Sequence, residues 1–245
     1  MDCMSVKALF LDLDGTLHDF EPAAIDAMEI VYARIVERYP RVSRASLERE
    51  YGAIWKIARE HVFSDGKTSV ESRTERFGLL LSRFGINDRE LIDELVKGYS
   101  RAYAERVRPF DRAVEEMERL RESFDLYVVT DGSDGQRTVV ESLGIAAFLK
   151  DIYTARDSRS GKQGGGLFRY ALEKSGLAPD EAITVGDSYE RDIKGAEAAG
   201  IRSVWVNRDG LAPGAPCPTL IAVIRDIRGL GDAMKRAGIT PDKPF

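Results

Sequence analysis

The stretch Ala8-Leu9-Phe10-Leu11-Asp12-Leu13-Asp14-Gly15-Thr16 decides how this chain is read. Leu9, Phe10 and Leu11 form an unalternating apolar run, the pattern of a strand buried on both faces in a parallel sheet. Asp12 and Asp14 follow where that strand leaves the core, and open α/β sheets bind ligands just outside the carboxyl ends of their strands. Two carboxylates this close repel each other unless a cation or a shared proton relieves them. Gly15 permits a tight turn, and Thr16 offers a hydroxyl to a loop amide or a phosphate oxygen. Taken alone, the run also fits a strand followed by an acidic turn. The remainder of the chain decides between the two.

At 245 residues there is length for one large domain or two modest ones. The net charge of −5 argues against a nucleic-acid polymer as partner, which needs a basic face, but not against a small anionic substrate. The two cysteines, Cys3 and Cys217, lie far apart and lack metal-ligand spacing, as expected of a reduced cytoplasmic protein. No apolar stretch approaches the roughly 20 residues that span a bilayer, so no membrane association is expected. The segment Met1–Lys7 lacks the basic and apolar regions of a signal peptide.

After the opening strand the pattern turns helical for about ninety residues. Pro22 suits a first turn, and Ile25, Met28, Ile30, Val31, Ile35 and Val36 continue at helical spacing to Tyr39-Pro40. Further helices are expected over Ser46 to about His61, Ser72–Phe84 and Asp88–Val107, and Arg108-Pro109-Phe110 marks a return to the sheet. From there strands and helices alternate. Strands are expected at Asp125–Thr130, Asp151–Ala155, Ala182–Val185, Ser203–Val206 and Leu220–Ile224. Helices are expected at Ala113–Glu122, Gly135–Leu143, Leu167–Lys174, Glu190–Ala199 and Leu230–Arg236. The alternation predicts βαβ units in a doubly wound, Rossmann-like parallel sheet. Residues 1–17 and 108–245 would form that α/β core, with residues 18–107 an inserted helical domain.

The opening pattern recurs. One later strand ends in Thr130-Asp131-Gly132 and another in Gly186-Asp187. If these strands are neighbours, Asp12, Asp14, Thr130 and Asp187 meet at one sheet edge, an oxygen-rich crevice suited to Mg²⁺. Lys162, in the Gly-rich loop Gly161–Gly166, could neutralise a carboxylate and a phosphoryl group together. Asp192 could hold a metal-bound water or a lysine, or serve as an acid favoured near a helix N-terminus.

In this order, Asp12-Leu13-Asp14-Gly15-Thr16, Thr130, Lys162, and Gly186-Asp187 with Asp192 resemble the four motifs of the haloacid dehalogenase-like (HAD) hydrolase superfamily. The helical block between the first two motifs resembles that family's type-1 cap. The resemblance implies a phosphomonoester hydrolase acting on a small phosphorylated metabolite, as monomer or homodimer. Asp12 would attack phosphorus to form an aspartyl-phosphate, and Asp14 would serve as acid and then base. Mg²⁺ would be held by Asp12, the Asp14 backbone carbonyl and Asp187. Thr130 and the amides of Asp131 and Gly132 would bind phosphoryl oxygens, and Lys162 would balance charge. Such a set answers the needs of phosphoryl transfer, whose negative charge spreads over the equatorial oxygens.

The chain departs from the family where Lys162 precedes Gln163 and three glycines instead of proline, and where Asp131 replaces the common asparagine. Asp131 also suits a simple turn before Gly132. From the helical block, His18 and Phe20 could line the entrance, and Arg73 and Arg76, three residues apart on one helix face, could reach an anionic or polar leaving group. A solvated helix face would place the two arginines equally well. His61 suits a helix C-terminus, and Trp55 suits the helical interior better than a stacking platform. The run Leu13–Phe20 and the run Phe168–Leu172 resemble nucleotidase-like members, and phosphoglycolate-type hydrolysis is also compatible. Rival chemistries are a mutase of the same fold, a 2-haloacid dehalogenase, whose branch typically lacks the second acid, and a non-catalytic binding protein, which should have lost one of Asp12, Asp14 and Asp187.

Overall fold

The computed structural model describes residues 5–58, 68–132 and 134–241. Cys3, His61 and the end of the second expected helix lie outside them. The chain opens with β1 (Ser5–Val6) and β2 (Ala8–Leu11), then runs through α1 (Phe20–Arg38), α2 (Arg44–Ala58), α3 (Ser69–Ser82) and α4 (Arg89–Arg106). It returns through α5 (Ala113–Leu120), β3 (Asp125–Thr130), α6 (Gly135–Ser142), β4 (Leu149–Thr154), α7 (Ala155–Ser158) and α8 (Gly166–Ser175). The last part holds β5 (Ala182–Gly186), a π-helical turn at Tyr189–Ile193, α9 (Lys194–Ala198), β6 (Arg202–Val206), β7 (Leu220–Ile224), α10 (Leu230–Arg236) and β8 (Thr240–Pro241).

Six strands form one parallel sheet in the order β4-β3-β2-β5-β6-β7. The chain winds outward in both directions from β2, so the ends of β2, β3 and β5 border the point where the winding reverses. That is where an open α/β sheet places its crevice. Alternate residues of the strands enter two cores. Leu9, Leu11, Val128, Ile183 and Val185 pack beneath α5, α6 and α10, whereas Phe10, Tyr127, Val129 and Tyr153 pack beneath α8 and α9. Burial on both faces explains why β2 reads as an unbroken apolar run. β1 and β8 pair as a separate two-stranded ribbon that no periodicity announces.

The helical insertion has its own interior, built from Ala27, Val31, Ile35, Leu47, Phe77, Leu80, Leu91 and Leu95 among others. Each buried Leu, Ile or Phe contributes about 1.5–3 kcal/mol. The exposed Arg34–Glu94 and Arg38–Glu90 pairs between α1 and α4 contribute about 0.2–1 kcal/mol each at best, so packing dominates. Helix starts are fixed by side chains. Asp19 accepts from the Glu21 amide, Thr68 and Glu71 form a capping box, and Asp88 accepts from the Leu91 amide. The two crossings between insertion and sheet lie side by side, with His18 bridging Pro109 and the Phe110 amide donating to the Leu17 carbonyl at 3.0 Å. Among the described residues, no helix is long and apolar enough to cross a membrane.

Candidate active site

Asp12, Thr130 and Asp187 stand at or just beyond the ends of β2, β3 and β5, which are adjacent in the sheet. One ligand oxygen from each of Asp12, Asp187 and Asp192 falls within a cluster 4.8 Å across. Asp12 is buried, and its Oδ2 accepts from the Thr16 hydroxyl at 3.0 Å. Lys162 lies in the same crevice, 2 % exposed, with Nζ bonded to Asp12 Oδ1 and to Asp192 Oδ1, the latter at 2.5 Å. Asp192 Oδ2 accepts from the Ser188 amide at 2.9 Å, so both of its oxygens are engaged. In contrast, Asp187 Oδ1 is buried and has no hydrogen-bond partner among the described residues.

The Lys162 ammonium and the Arg191 guanidinium thus face four carboxylates, Asp12, Asp131, Asp187 and Asp192, and the charge balance follows. Burial works against the charged form of Lys162, but Asp12, Asp192 and Asp131 outweigh it and hold the ammonium firmly protonated. The uncompensated charge falls on the acids. Burial, reinforced by Asp192 and Asp187, pushes Asp12 well above the ordinary carboxylate range against the pull of Lys162. Asp187 is pushed up to about 6, first by burial and then by Asp192. Buried oxygens with surplus negative charge and an orphaned lone pair fit a hard divalent cation. Close backbone approach makes the cluster possible. Gly15 has φ +89°, and a Cβ there would collide with the Asp187 carboxylate. Trp205 Nε1 holds the Asp187 carbonyl at 2.8 Å.

The π turn places Asp192. Both the Asp192 and Ile193 amides donate to the Ser188 carbonyl, and the widened turn directs the Asp192 carboxylate inward to Lys162. The expected regular helix over Glu190–Ala199 is accordingly replaced by this turn and the short α9. Gly195 matters in the same way, because a Cβ there would strike the Lys162 carbonyl. The Lys162 backbone is fixed from the other side by its amide donating to Asp131 Oδ1 at 2.7 Å. The Asp131 side chain thus ties the loop after β3 to the Lys162 loop, and sits 3.8 Å from the Arg191 guanidinium. Thr130 is buried, and its hydroxyl accepts from the Gly132 amide at 3.2 Å.

Asp14 is not part of the cluster of Asp12, Asp187 and Asp192. Its Oδ1 lies 2.8 Å from His18 Nε2, and its Oδ2 accepts from Gln136 Nε2 at 2.6 Å. His18 does not line an entrance as expected from the sequence, because its side chain is fully buried against Asp14. The parallel bridge between Asp14 and His18 turns the imidazole inward. Phe20 opens α1 with its ring partly exposed. Arg73 and Arg76 stand half-buried on α3, stacked over Tyr99 and Trp55 respectively. Gln136 and Arg191 escaped the sequence reading. Each is a polar residue within the first turn after a sheet-edge loop, a signal present but not distinctive.

Similarity to known proteins agrees with this geometry. The chain is 28% identical over 214 residues to the HAD-hydrolase YfnB of Bacillus subtilis, covering 86% of this chain and 87% of that protein. The crystal structure of YfnB bound to magnesium superposes with a TM-score of 0.69 at 26% identity, over 93% of this chain and 98% of that one. Human N-acylneuraminate-9-phosphatase is 24% identical over 217 residues, 87% of each chain. A 2-haloacid dehalogenase from Pseudomonas syringae pv. Tomato matches with a TM-score of 0.74 and 25% identity, over 94% of this chain and 99% of that one. A family profile covers residues 6–200, a span that contains Asp12, Asp14, Thr130, Lys162, Asp187 and Asp192. The chain belongs to the haloacid dehalogenase-like hydrolase family.

Proposed function

We propose that this hydrolase is a Mg²⁺-dependent phosphomonoesterase working through an aspartyl-phosphate on Asp12, with residues 18–107 as a cap over the leaving group. The observation that carries the reading is the second acid. Asp14 lies two residues beyond Asp12 and is oriented by His18 and Gln136 outside the carboxylate cluster. Displacement of halide from carbon needs no proton donor for its leaving group, whereas an alkoxide leaving phosphorus does.

In this mechanism an Asp12 oxygen attacks phosphorus as the bond to the leaving oxygen breaks. Asp14 gives that oxygen its proton, and the phosphoryl group is left on Asp12. Asp14 then takes a proton from the water that attacks phosphorus, releasing phosphate and restoring the Asp12 carboxylate. Lys162 neutralises charge on the nucleophile and on the transferred group. Thr130 and the amides of Asp131 and Gly132 orient the phosphoryl oxygens. Asp12, the Asp14 carbonyl and Asp187 would hold Mg²⁺, which supplies further charge neutralisation when bound.

The reading is tested by hydrolysis of p-nitrophenyl phosphate and an alkyl phosphate, with Mg²⁺ or with chelator, and by chloride release from chloropropionate. Phosphate release that requires Mg²⁺, without chloride release, is expected; the reverse pattern would make the protein a dehalogenase. Asp14→Asn should lower kcat on the alkyl ester by about 10²–10⁴-fold, the usual worth of a positioned acid–base group. The first turnover of the nitrophenyl ester should suffer less, because nitrophenolate departs without a proton. Equal losses on both esters would remove Asp14 from the role of acid.

Mg²⁺ should also stabilise the fold in a pH-dependent manner. Asp12 and Asp187 titrate higher folded than unfolded, so their contribution to metal-free stability is full below the unfolded carboxylate pKa. It is lost as pH rises through the folded values, about 6 for Asp187. At about 100-fold excess over its Kd the cation adds about 2.7 kcal/mol, or roughly 5–10 °C in Tm for a domain of this size. Thermal unfolding should show that gain near pH 7.5 and a much smaller one near pH 5, where Asp187 binds a proton instead. A gain independent of pH would contradict this assignment of the cation to the cluster.

A further inference from the structure

Arg73 is a half-buried charge that the proposed mechanism does not use. Its guanidinium sits over the Tyr99 ring, 4.9 Å from the centroid, and Nη1 donates to Ser100 Oγ at 2.9 Å. That hydroxyl in turn donates to the Val96 carbonyl. Burial pulls the guanidinium's pKa down, and neighbouring Arg76 adds to the effect. Among the described residues no carboxylate pairs with either arginine. Arg76 is otherwise engaged, with its guanidinium over Trp55 and its Nε bonded to the Ser72 carbonyl. A partly desolvated cation with no carboxylate partner among the described residues gains from a ligand that supplies the counter-charge.

The position of Arg73 relates it to the reacting centre. It lies one helical turn beyond Ser69, whose amide donates to Asp134 Oδ1 in the loop that follows Thr130, so both residues share the face of α3 that meets the core. Tyr99, beneath Arg73, stacks on Tyr103 with rings 6.0 Å apart and 10° from parallel. Tyr103 packs against both the insertion's interior and the core of the sheet. Burial first, and the Asp14 carboxylate among the nearby charges, push both phenols up. Arg73, Tyr99 and Tyr103 thus form a stacked run from α3 to the junction of the helical insertion with the sheet.

We propose that Arg73, with Ser100, binds a carboxylate carried by the leaving group, so that the substrates of this enzyme are phosphate esters of hydroxy acids. This rests on the phosphomonoesterase reading and adds the substrate class to it. A planar guanidinium fork matches a carboxylate, and its single charge balances the carboxylate's single charge. Arg76 is turned to Trp55 of α2 and bonded to the Ser72 carbonyl, which leaves Arg73 as the fork offered beside Tyr99.

Two matched pairs of esters test the idea, each differing by one carboxylate: phosphoglycolate against hydroxyethyl phosphate, and phosphoserine against phosphoethanolamine. Wild type should prefer the carboxylated member by about 10- to 100-fold in kcat/KM, the worth of a charge-assisted contact. Arg73→Gln should bring the ratio close to unity, and Arg73→Lys, which keeps the charge without the fork, should fall between. Thermal unfolding of each variant verifies that it is folded, and the ratio within a pair is insensitive to a general loss of activity. No preference in wild type, or an unchanged ratio in Arg73→Gln, overturns the proposal. If wild type hydrolyses neither these esters nor p-nitrophenyl phosphate, the phosphomonoesterase reading itself fails.

Discussion

Asp12→Asn is expected to lower kcat toward any phosphate ester by roughly 10⁴-fold or more, the scale seen when a covalent nucleophile is removed. The amide keeps the shape of the carboxylate and can still accept from Thr16 or Lys162, so the loss belongs to chemistry and not to folding. Stability should move the other way. Burial and the neighbouring Asp192 and Asp187 hold Asp12 well above its ordinary pKa, so its charge works against the metal-free fold. Near pH 7.5 the metal-free variant should match or exceed wild type by about 1 kcal/mol, the trade expected where an active site keeps a strained charge. Steady-state kinetics with thermal unfolding on the same preparation reads both effects. A variant that is both active and destabilised would contradict the account.

Lys162→Met carries the largest stability effect. The methionine fills much of the same volume, but it leaves Asp12 and Asp192 buried without the ammonium that bonds them both, with Asp187 beside them. Removing one partner from a buried ion pair typically costs about 3–5 kcal/mol. For a domain of this size that is a fall in Tm of roughly 6–20 °C. The loss should be smaller near pH 5 than near pH 7.5, since protonation relieves the remaining carboxylates. kcat should fall by about 10²–10³-fold through lost charge stabilisation. Adding Asp192→Asn should restore much of the stability and little of the rate, a coupling that a double-mutant cycle measures. Additive losses would show that the lysine does not act through these carboxylates.

The parts of the site that could be read from sequence are those written locally. Apolar runs that end in Asp12, Thr130 and Asp187 announce buried strands and their exits, because a parallel strand covered on both faces leaves no alternation. Residues set by contacts across the fold are silent. Gln136 meets Asp14 across 122 residues of chain, and Asp131 meets the Lys162 amide across 31. His18 turns inward through a bridge of four residues' span that no periodicity encodes. The π turn at Tyr189–Ile193 reads as ordinary helix, since one widened turn barely disturbs the helical spacing. Arg73 is legible as a position on a helix face, but not as a half-buried charge, because its partial desolvation depends on Tyr99 and Ser100 from another helix.

The covalent step is the centre of the account, and it can be observed directly. Wild type mixed with p-nitrophenyl phosphate and Mg²⁺, quenched in acid within the first turnovers and digested, should yield the peptide containing Asp12 heavier by one phosphoryl group. That label should be released by hydroxylamine, as an acyl phosphate is, and should be absent from Asp12→Asn. Phosphate release at full rate from wild type with no label on that peptide, or a label that survives in Asp12→Asn, would contradict nucleophilic attack by Asp12.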